Sequence, residues 1–377
     1  MADLFFYGTL RHVPLLELVL DRAADVLDIQ PAVLQGHGAF AVVNECFPTI
    51  ELRDGHAADG VLVRGLSSED LERLNFYEGG FSYDLKPVSV DLKDGSTASC
   101  EVYFPQPGLW RAGDTWDLNA WFSDWGDMSM RAAEEVMSYF GRVSAEEMAR
   151  RITPIRIRAA AWVAAQMRQA EPKRDLSKDV VVHRHNRSHL SFFGLEEMDL
   201  QFRRFDGTMS EIWNRSALMV GQAAVVLPYD PVRDRVLLIE QFRAPPFIAG
   251  ATNPWIWEAV AGLVDPGETP EQTAYREAVE EAGLELLALE PVAQVYSSTG
   301  SSGEFAHIFV GLAELTEGGA VAGLASEGED IRSRILSYQD LMDGVDAQTY
   351  CNAQLVTAAL WLSRHRERLR KAAQVVR

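Results

Sequence analysis

Residues 262–284, GLVDPGETPEQTAYREAVEEAGL, constrain the fold of this chain more than any other stretch. They predict a glycine-containing loop followed by a helix over 270–282. Thr269 is a good N-cap, Pro270 suits the first turn of a helix, and Gly283 suits its C-terminal exit. The two ends of this helix are therefore predicted from local chemistry alone.

The predicted helix carries three carboxylates on one face. Glu277, Glu280 and Glu281 are spaced i, i+3 and i+4, and like charges at this spacing repel by about 0.2–0.5 kcal/mol per pair. Arg276 can reach Glu280, but one cation does not neutralise three anions. A Mg²⁺ or Mn²⁺ ion would, because hard cations prefer carboxylate oxygens. For EAVEEAG taken alone, a solvated acidic face is the alternative interpretation.

Charge and composition exclude several function classes. The 377 residues include 35 basic and 55 acidic side chains, a formal net charge of −20, which argues against a general nucleic-acid binder and against docking on an anionic membrane. Three widely spaced cysteines predict neither a disulfide framework nor a zinc site. With no signal-peptide pattern and no apolar run of about 18 residues, the sequence predicts a soluble, cytoplasmic protein.

The length predicts two or three domains. Residues 1–107 show short apolar strands between Gly and Asp turns, typical of a small α+β barrel or sheet. Residues 108–179 form a Trp-rich helical connector, with helical periodicity over 129–167 that is interrupted near Pro154. The cluster of Trp110, Trp116, Trp121 and Trp125 is expected to pack at an interface, with a ligand box as the alternative. Residues 180–377 form a further domain.

The third segment opens with a hairpin. LQFRRF and TMSEIW flank Asp206-Gly207, a strong hairpin turn signal. AAVVLPYDPVRDRVLLIEQFR predicts a strand, a turn and a strand, and WIWEAVAGLV predicts one strand. The last element is expected to be an amphipathic helix over 352–372.

The motif of the acidic helix, G-x5-E-x7-R-E-U-x-E-E-x-G-U with U a bulky aliphatic, resembles the Nudix box. Every G, E and R position matches, and Ala278 stands at the first U position. The resemblance implies a Nudix hydrolase with an α/β/α sandwich that uses Mg²⁺ or Mn²⁺. AAVVLPYDPVRDRVLLIEQFR, WEAVAGLVDPGE, the loops 298–304 and 325–331, and NAQLVTAALWL are similar to the ADP-ribose pyrophosphatase branch. That branch implies hydrolysis of ADP-ribose to AMP and ribose 5-phosphate by a homodimer, which the 191–216 hairpin could form.

The resemblance also implies roles for individual residues. The expected metal ligands are the Ala261 carbonyl, Glu277, Glu280, Glu281 and Glu329. The expected catalytic residues are Glu281 and Glu327, of which Glu327 is the base, and Glu268 is expected to pair with Arg276. The expected substrate-binding residues are Arg215, Arg243 and Glu304.

The N-terminal segment has its own pattern. Tyr7-Gly8-Thr9-Leu10 forms a tight loop after an apolar strand, where backbone N–H groups could cradle a carboxylate. Glu78 follows two aromatics, which favours a raised pKa. The two features resemble the gamma-glutamylcyclotransferase-like fold over about the first 105 residues.

This second resemblance implies a small β-barrel that converts gamma-glutamyl amines to 5-oxoproline. Glu78 would move the proton, and residues 7–10 would form the substrate loop. Residues 83–86, YDLK, lack the arginine often found in that family, and a structural or regulatory barrel is the alternative.

The predicted fold class is therefore a two-domain α+β protein, and the leading hypothesis is a metal-dependent ADP-ribose pyrophosphatase. One alternative is a Nudix hydrolase of another nucleoside diphosphate derivative, such as a nucleotide sugar. The other is a gamma-glutamyl cyclotransferase that is regulated through its Nudix domain.

Overall fold

The chain folds into two compact units. A computed structural model describes residues 1–78, 80, 83–168, 173–316, 321–322 and 330–375. The first unit takes in Met1–Ala170 and Leu190–Phe192, and the second takes in Glu171–His189 and Phe193–Arg377. The domain boundaries at 107 and 179 stay predictions. In the described part of the chain, no helix is long and apolar enough to cross a membrane.

The first unit is built on a closed five-stranded barrel. Its strands pair in the order β3-β1-β5-β4-β2, and β2 pairs back onto β3 to close the ring, while β6 adds to β2. Phe5, Leu62 and Val102 are buried in one of its cores. The predicted small barrel is confirmed. The strands are β1 Ala2–Phe6, β2 Asp28–Val42, β3 Pro48–Leu66, β4 Tyr83–Leu92, β5 Thr97–Pro105 and β6 Ala112–Thr115.

The described part of the first unit contains five α-helices. They are α1 Val13–Leu20, α2 Ser68–Glu78, α3 Leu118–Met137, α4 Ala145–Arg150 and α5 Ile152–Gln166. The predicted interruption near Pro154 is confirmed, because α4 ends at Arg150 and α5 begins at Ile152. Pro154 lies in the first turn of α5, where backbone N–H groups have no intrahelical partner to lose. The helical run also breaks at residues 138–144.

The clustered tryptophans divide between two roles. Trp121 is buried in a core, and Trp116 and Trp125 pack against it. Trp110 instead lines a cavity. The predicted packing role therefore holds for three of the four side chains, and the alternative of a ligand site stays open for Trp110.

The second unit is built on an eight-stranded sheet. Its main order is β14-β15-β10-β11-β17-β16, with β12 paired to β11 and β13 paired to β10. Its strands are β10 Gln222–Asp230, β11 Arg235–Phe242, β12 Trp255–Glu258, β13 Val260–Leu263, β14 Ala288–Tyr296, β15 Phe305–Leu312, β16 Val321–Ala322 and β17 Ile331–Ser337. A separate three-stranded sheet contains β7 Val180–Leu190, β8 Gly194–Phe202 and β9 Trp213–Met219.

Helices α8 Pro270–Ala282, α9 Tyr338–Asp346 and α10 Ala353–Val375 cover the two faces of the eight-stranded sheet. The second unit also contains the short helices α6 Leu176–Asp179 and α7 Ala244–Ile248. In β10, Val225 and Leu227 share a core with α9 and α10, whereas Ala224 and Val226 share a core with Ala274 of α8. This alternation along a strand that is buried on both faces confirms the predicted α/β/α sandwich.

Two expectations for the second unit need adjustment. WIWEAVAGLV forms two strands rather than one, because the chain leaves β11 after Glu258 and pairs with β10 from Val260. The turn at Asp206-Gly207 is present, with a φ of 87° at Gly207, and the predicted arms pair at Leu200–Trp213 and Arg203–Met209. The regular ladder of the hairpin extends further, through β8 and β9.

Candidate active sites in the two units

The acidic helix α8 is fixed at both ends by its own residues. The Thr269 hydroxyl accepts a hydrogen bond from the Gln272 N–H at 3.2 Å, and the Gln272 side chain accepts one from the Thr269 N–H at 2.8 Å. At the other end Gly283 is left-handed, with a φ of 59°. The predicted helix and both of its caps are confirmed, and they hold the carboxylate face in a defined rotation.

Gly262 lets one of these carboxylates approach strand β13. A Cβ atom added to Gly262 would lie 1.8 Å from the Glu277 Oε1 atom and 2.1 Å from its Cδ atom. No side chain larger than hydrogen fits there while Glu277 stays in place. This glycine is therefore required by the position of Glu277 rather than by a turn.

Glu281 is held on the same strand by a backbone contact. Its side chain is buried, with 2% of the residue exposed, and its Oε2 atom accepts a hydrogen bond from the Ala261 N–H at 2.9 Å. The structure thus brings Ala261, Gly262, Glu277 and Glu281 together at the junction of β13 and α8. The ligand role expected for the Ala261 carbonyl stays a prediction.

Arg276 lies at the centre of the acidic cluster. Its guanidinium donates to Glu268 at 2.9 and 3.0 Å, to Glu277 at 2.7 Å and to Glu280 at 2.9 Å. The predicted pair with Glu268 is confirmed. Hydrogen bonds from Arg276 hold the pKa of Glu268 below its ordinary value, whereas burial raises the pKa of the nearby Asp265. One guanidinium does not balance this many carboxylates, so the cluster keeps a negative charge.

The donor set fits a hard divalent cation. Carboxylate oxygens are the ligands that Mg²⁺ prefers, and Mg²⁺ is usually held by one or two carboxylates, substrate phosphates and waters rather than by a protein cage. Among the described residues, no group of three acidic, His or Cys side chains is arranged to hold a metal ion. Glu327 and Glu329 lie outside the described residues.

Arg243, at the end of β11, is held by a buried carboxylate. Its Nε atom donates to Glu258 Oε2 at 2.7 Å, and Glu258 Oε1 accepts from Asn352 Nδ2 at 2.9 Å. The sequence did not predict Glu258 and Asn352 as partners of Arg243. Both lie in segments that resemble the ADP-ribose pyrophosphatase branch, WEAVAGLVDPGE and NAQLVTAALWL, and this is the one signal that could have pointed to them.

Arg215 and Glu304 come from neighbouring segments. The Arg215 guanidinium lies 5.0 Å from the centroid of the Trp213 ring. The same strand, β9, is tied to the loop 298–304, because the Leu218 N–H donates to the Ser301 carbonyl at 2.9 Å. The structure therefore brings the strand of Arg215 to the loop of Glu304, and both substrate roles stay predictions.

The first unit contains a cavity of about 120 Å³. The loop from Tyr7 to Leu10 and the side chain of Glu78 both line it, so the two N-terminal features singled out in the sequence meet at one place. Aromatic side chains make up much of the remaining wall. These aromatic residues, which the sequence did not predict to lie near the loop, are Phe47, Tyr77, Tyr83, Tyr103 and Trp110.

Burial shapes the titration of the groups around this cavity. It raises the pKa of Glu78 from 4.5 to about 7, which suits a proton-transfer group at neutral pH. Burial, reinforced by the charge of Glu78, also raises the pKa values of Tyr7, Tyr77 and Tyr103. These phenols stay protonated at neutral pH and can donate hydrogen bonds to a ligand.

Sequence comparisons match both units. The family described as "NUDIX domain" matches residues 219–353, and the family described as "Gamma-glutamyl cyclotransferase, AIG2-like" matches residues 4–122. The ADP-ribose pyrophosphatase of Escherichia coli (strain K12) is 38% identical over 192 residues, which cover 51% of this chain and 91% of that protein.

Two further relatives match the same half of the chain. The ADP-ribose pyrophosphatase of Haemophilus influenzae is 35% identical over 159 residues, 41% of this chain and 73% of the relative. The GDP-mannose pyrophosphatase of Cronobacter sakazakii (strain ATCC BAA-894) is 31% identical over 163 residues, 41% of this chain and 80% of the relative.

The sandwich and its acidic helix define the second unit as a hydrolase. The chain belongs to the Nudix family, and its first unit contains a domain of the gamma-glutamyl cyclotransferase, AIG2-like family.

Proposed function

We propose that the second unit hydrolyses the pyrophosphate of ADP-ribose to AMP and ribose 5-phosphate with the help of Mg²⁺ or Mn²⁺. The observation that carries this proposal is the acidic face of α8, seated on β13 through the Ala261 N–H and the space above Gly262. The substrate is supported by the 38% identity to an ADP-ribose pyrophosphatase across most of that relative's length.

The chain supplies the carboxylates of the proposed site. Glu277, Glu280 and Glu281 would hold the cation, together with Glu329 and the Ala261 carbonyl. A bound divalent cation offsets the charge of phosphoryl oxygens and lowers the pKa of a water molecule. Arg276 positions Glu277 and Glu280 through its hydrogen bonds. Glu327 takes the proton of the attacking water.

Arg243 recognises the two phosphates, because a guanidinium binds phosphate oxygens in a bidentate manner. The Glu258 carboxylate holds the Arg243 side chain by accepting a hydrogen bond from its Nε atom. Arg215 and Glu304 contact the adenosine and ribose parts of the substrate. The relative named for GDP-mannose keeps a nucleotide sugar as the competing substrate.

A substrate panel tests this proposal. We expect kcat/KM to be highest for ADP-ribose among ADP-ribose, GDP-mannose, NADH and dinucleoside polyphosphates, and we expect a chelator to abolish turnover. A preference for GDP-mannose would overturn the substrate but keep the reaction. Turnover that persists in excess chelator would overturn the metal dependence.

We also propose that the second unit forms a homodimer through the sheet of β7, β8 and β9. Exposed apolar side chains lie on this sheet and in its connecting loop, and in a monomer they would face water. They are Val182 (51% exposed), Ile212 (56%) and Trp213 (43%). Aromatic side chains in particular are enriched at protein interfaces.

A second candidate function belongs to the first unit. The joint lining of one cavity by the residue 7–10 loop and Glu78, whose pKa is raised to about 7, favours a gamma-glutamyl cyclotransferase. Glu78 would take a proton from the alpha-ammonium group of the substrate. The freed amine would attack the gamma-carbonyl, and Glu78 would return the proton to the departing amine as the C–N bond to that amine breaks, giving 5-oxoproline. Release of 5-oxoproline from gamma-glutamyl amines is the assay.

A further inference from the structure

The cavity of the first unit has two walls of different origin. One comes from the barrel and α2, which lie within the residues that match the cyclotransferase family. The other comes from α3, α4 and α5, with Ser129, Met148, Ile152 and Arg156 among the lining residues. These four lie beyond residue 122, the last residue of the family match. The second wall is therefore a feature of this chain that the family match does not describe.

The two walls carry opposite charges. Among the described residues that line the cavity, Glu78 is the one carboxylate and Arg156 is the one cation. The rest of the lining is largely aromatic and aliphatic. A ligand with one cationic and one anionic group would meet a partner for each, and its apolar part would meet the aromatic wall.

Arg156 is held so that part of its guanidinium stays available. Its Nη1 atom donates to Glu45 Oε2 at 2.9 Å, and the guanidinium carbon lies 5.1 Å from the centroid of the Phe47 ring. Within the described part of the chain no further hydrogen bond of this side chain is found. A guanidinium has five N–H donors in a planar fork, so Arg156 keeps donors for a ligand carboxylate.

We propose that Arg156 recognises the alpha-carboxylate of an amino-acid-like ligand whose amino group lies beside Glu78. At roughly 10–15 Å³ for each water-sized group, a cavity of about 120 Å³ accepts a ligand of the size of an amino acid. This inference deepens the cyclotransferase candidate and rests on it for the identity of the ligand class. It makes Arg156, supplied by α5, a specificity-determining residue.

Glu45 distinguishes this role from a structural one. If the pair with Glu45 were the only task of Arg156, removal of either partner would have the same consequence. If Arg156 binds the ligand, Glu45 competes with the ligand carboxylate for the same guanidinium. The variants Arg156→Gln and Glu45→Gln then change ligand affinity in opposite directions.

The test measures binding to the full chain by calorimetry with two probes. L-Glutamine has the amino group and the carboxylate, and 4-aminobutanamide lacks only the carboxylate. We expect Arg156→Gln to weaken L-glutamine binding about 10- to 100-fold, the contribution of a charge-assisted hydrogen bond, and to leave 4-aminobutanamide binding unchanged. Glu45→Gln should tighten L-glutamine binding. Arg150→Gln, an exposed arginine of α4 that does not line the cavity, is the matched control.

Equal weakening of both probes by Arg156→Gln would overturn the inference, and so would failure of the parent protein to bind L-glutamine. Weakening of L-glutamine binding by Glu45→Gln would indicate the structural role. Melting temperatures of all variants separate loss of binding from loss of folding. Release of 5-oxoproline is measured in parallel. If binding depends on the carboxylate but no 5-oxoproline is released, the cyclotransferase function is refuted while the proposed role of Arg156 stands.

Discussion

The substitution Gly262→Ala should separate the position of one carboxylate from the stability of the fold. The new Cβ atom would lie 1.8 Å from Glu277 Oε1, whereas ordinary contacts begin at 3.4 Å, so the carboxylate must move by about 1.6 Å. A misplacement of about 1 Å in an active site can cost about 10²-fold in rate. We therefore expect kcat/KM for ADP-ribose to fall about 10²-fold in saturating Mg²⁺.

The fold should survive this change. The atoms that clash belong to the end of a flexible side chain, so the expected cost is that of an off-rotamer conformation, about 0.5–1.5 kcal/mol. A double-mutant cycle checks the cause. In a Glu277→Ala background the clashing atoms are gone, so Gly262→Ala should cost less stability there than in the parent. Near-parental turnover by Gly262→Ala would refute the placement of Glu277 at the metal site.

Three further predictions address other parts of the chain. Burial raises the pKa of Glu78 from 4.5 to about 7, so the folded state loses stability as pH rises through that range. Glu78→Gln should therefore be more stable than the parent at pH 8, by up to about 3 kcal/mol, and should melt at the same temperature as the parent at pH 4. A difference of the same size at both pH values would contradict this. The same variant should release no 5-oxoproline. In sedimentation, the parent should be a dimer and the Trp213→Glu variant a monomer. A parent that sediments as a monomer at micromolar concentration would refute the dimer. Glu327→Gln should lower kcat by about 10²–10⁴ and keep the rise in melting temperature on adding Mg²⁺; parental turnover would place the base elsewhere.

The acidic helix was predictable because its determinants are local. Thr269, Pro270 and Gly283 each act within one turn of an end of α8, and the hydrogen bonds of the capping box join residues three apart. Arg276 reaches its partners from the same short stretch. Spacing along the sequence therefore translates directly into geometry.

The contacts of the predicted substrate-binding residue Arg243 could not be predicted from the sequence, because they are not local. Glu258 contacts both Arg243 and Asn352, and Asn352 lies 94 positions after Glu258 in the sequence. No periodicity links these positions, because the contact exists only after β12 and the start of α10 are brought together by the sheet. The pairing of β13 with β10 rather than with β11 could not be predicted from the sequence for the same reason.

The long strands of the barrel were also incompletely predicted. Strand β2 has a register shift between Gln35 and His37, at Gly36 with a φ of 71°, and such a bulge disrupts the alternation that predicts a strand. The cavity shows the same limit. Glu78 and the residue 7–10 loop were singled out by local patterns, whereas Trp110 and Arg156 reach the cavity only through tertiary packing.

The most direct test of the central claim is the Mg²⁺ dependence of ADP-ribose hydrolysis by the parent and by Glu281→Gln. Glu281 is buried and hydrogen-bonded to the Ala261 N–H, and a neutral amide of the same shape keeps the packing but removes a charged ligand. The parent should form AMP and ribose 5-phosphate only when Mg²⁺ or Mn²⁺ is present. Glu281→Gln should fold, its turnover should be lower by at least about 10²-fold, and its melting temperature should respond more weakly to Mg²⁺. Near-parental hydrolysis by Glu281→Gln would instead show that the acidic face of α8 is not the metal site.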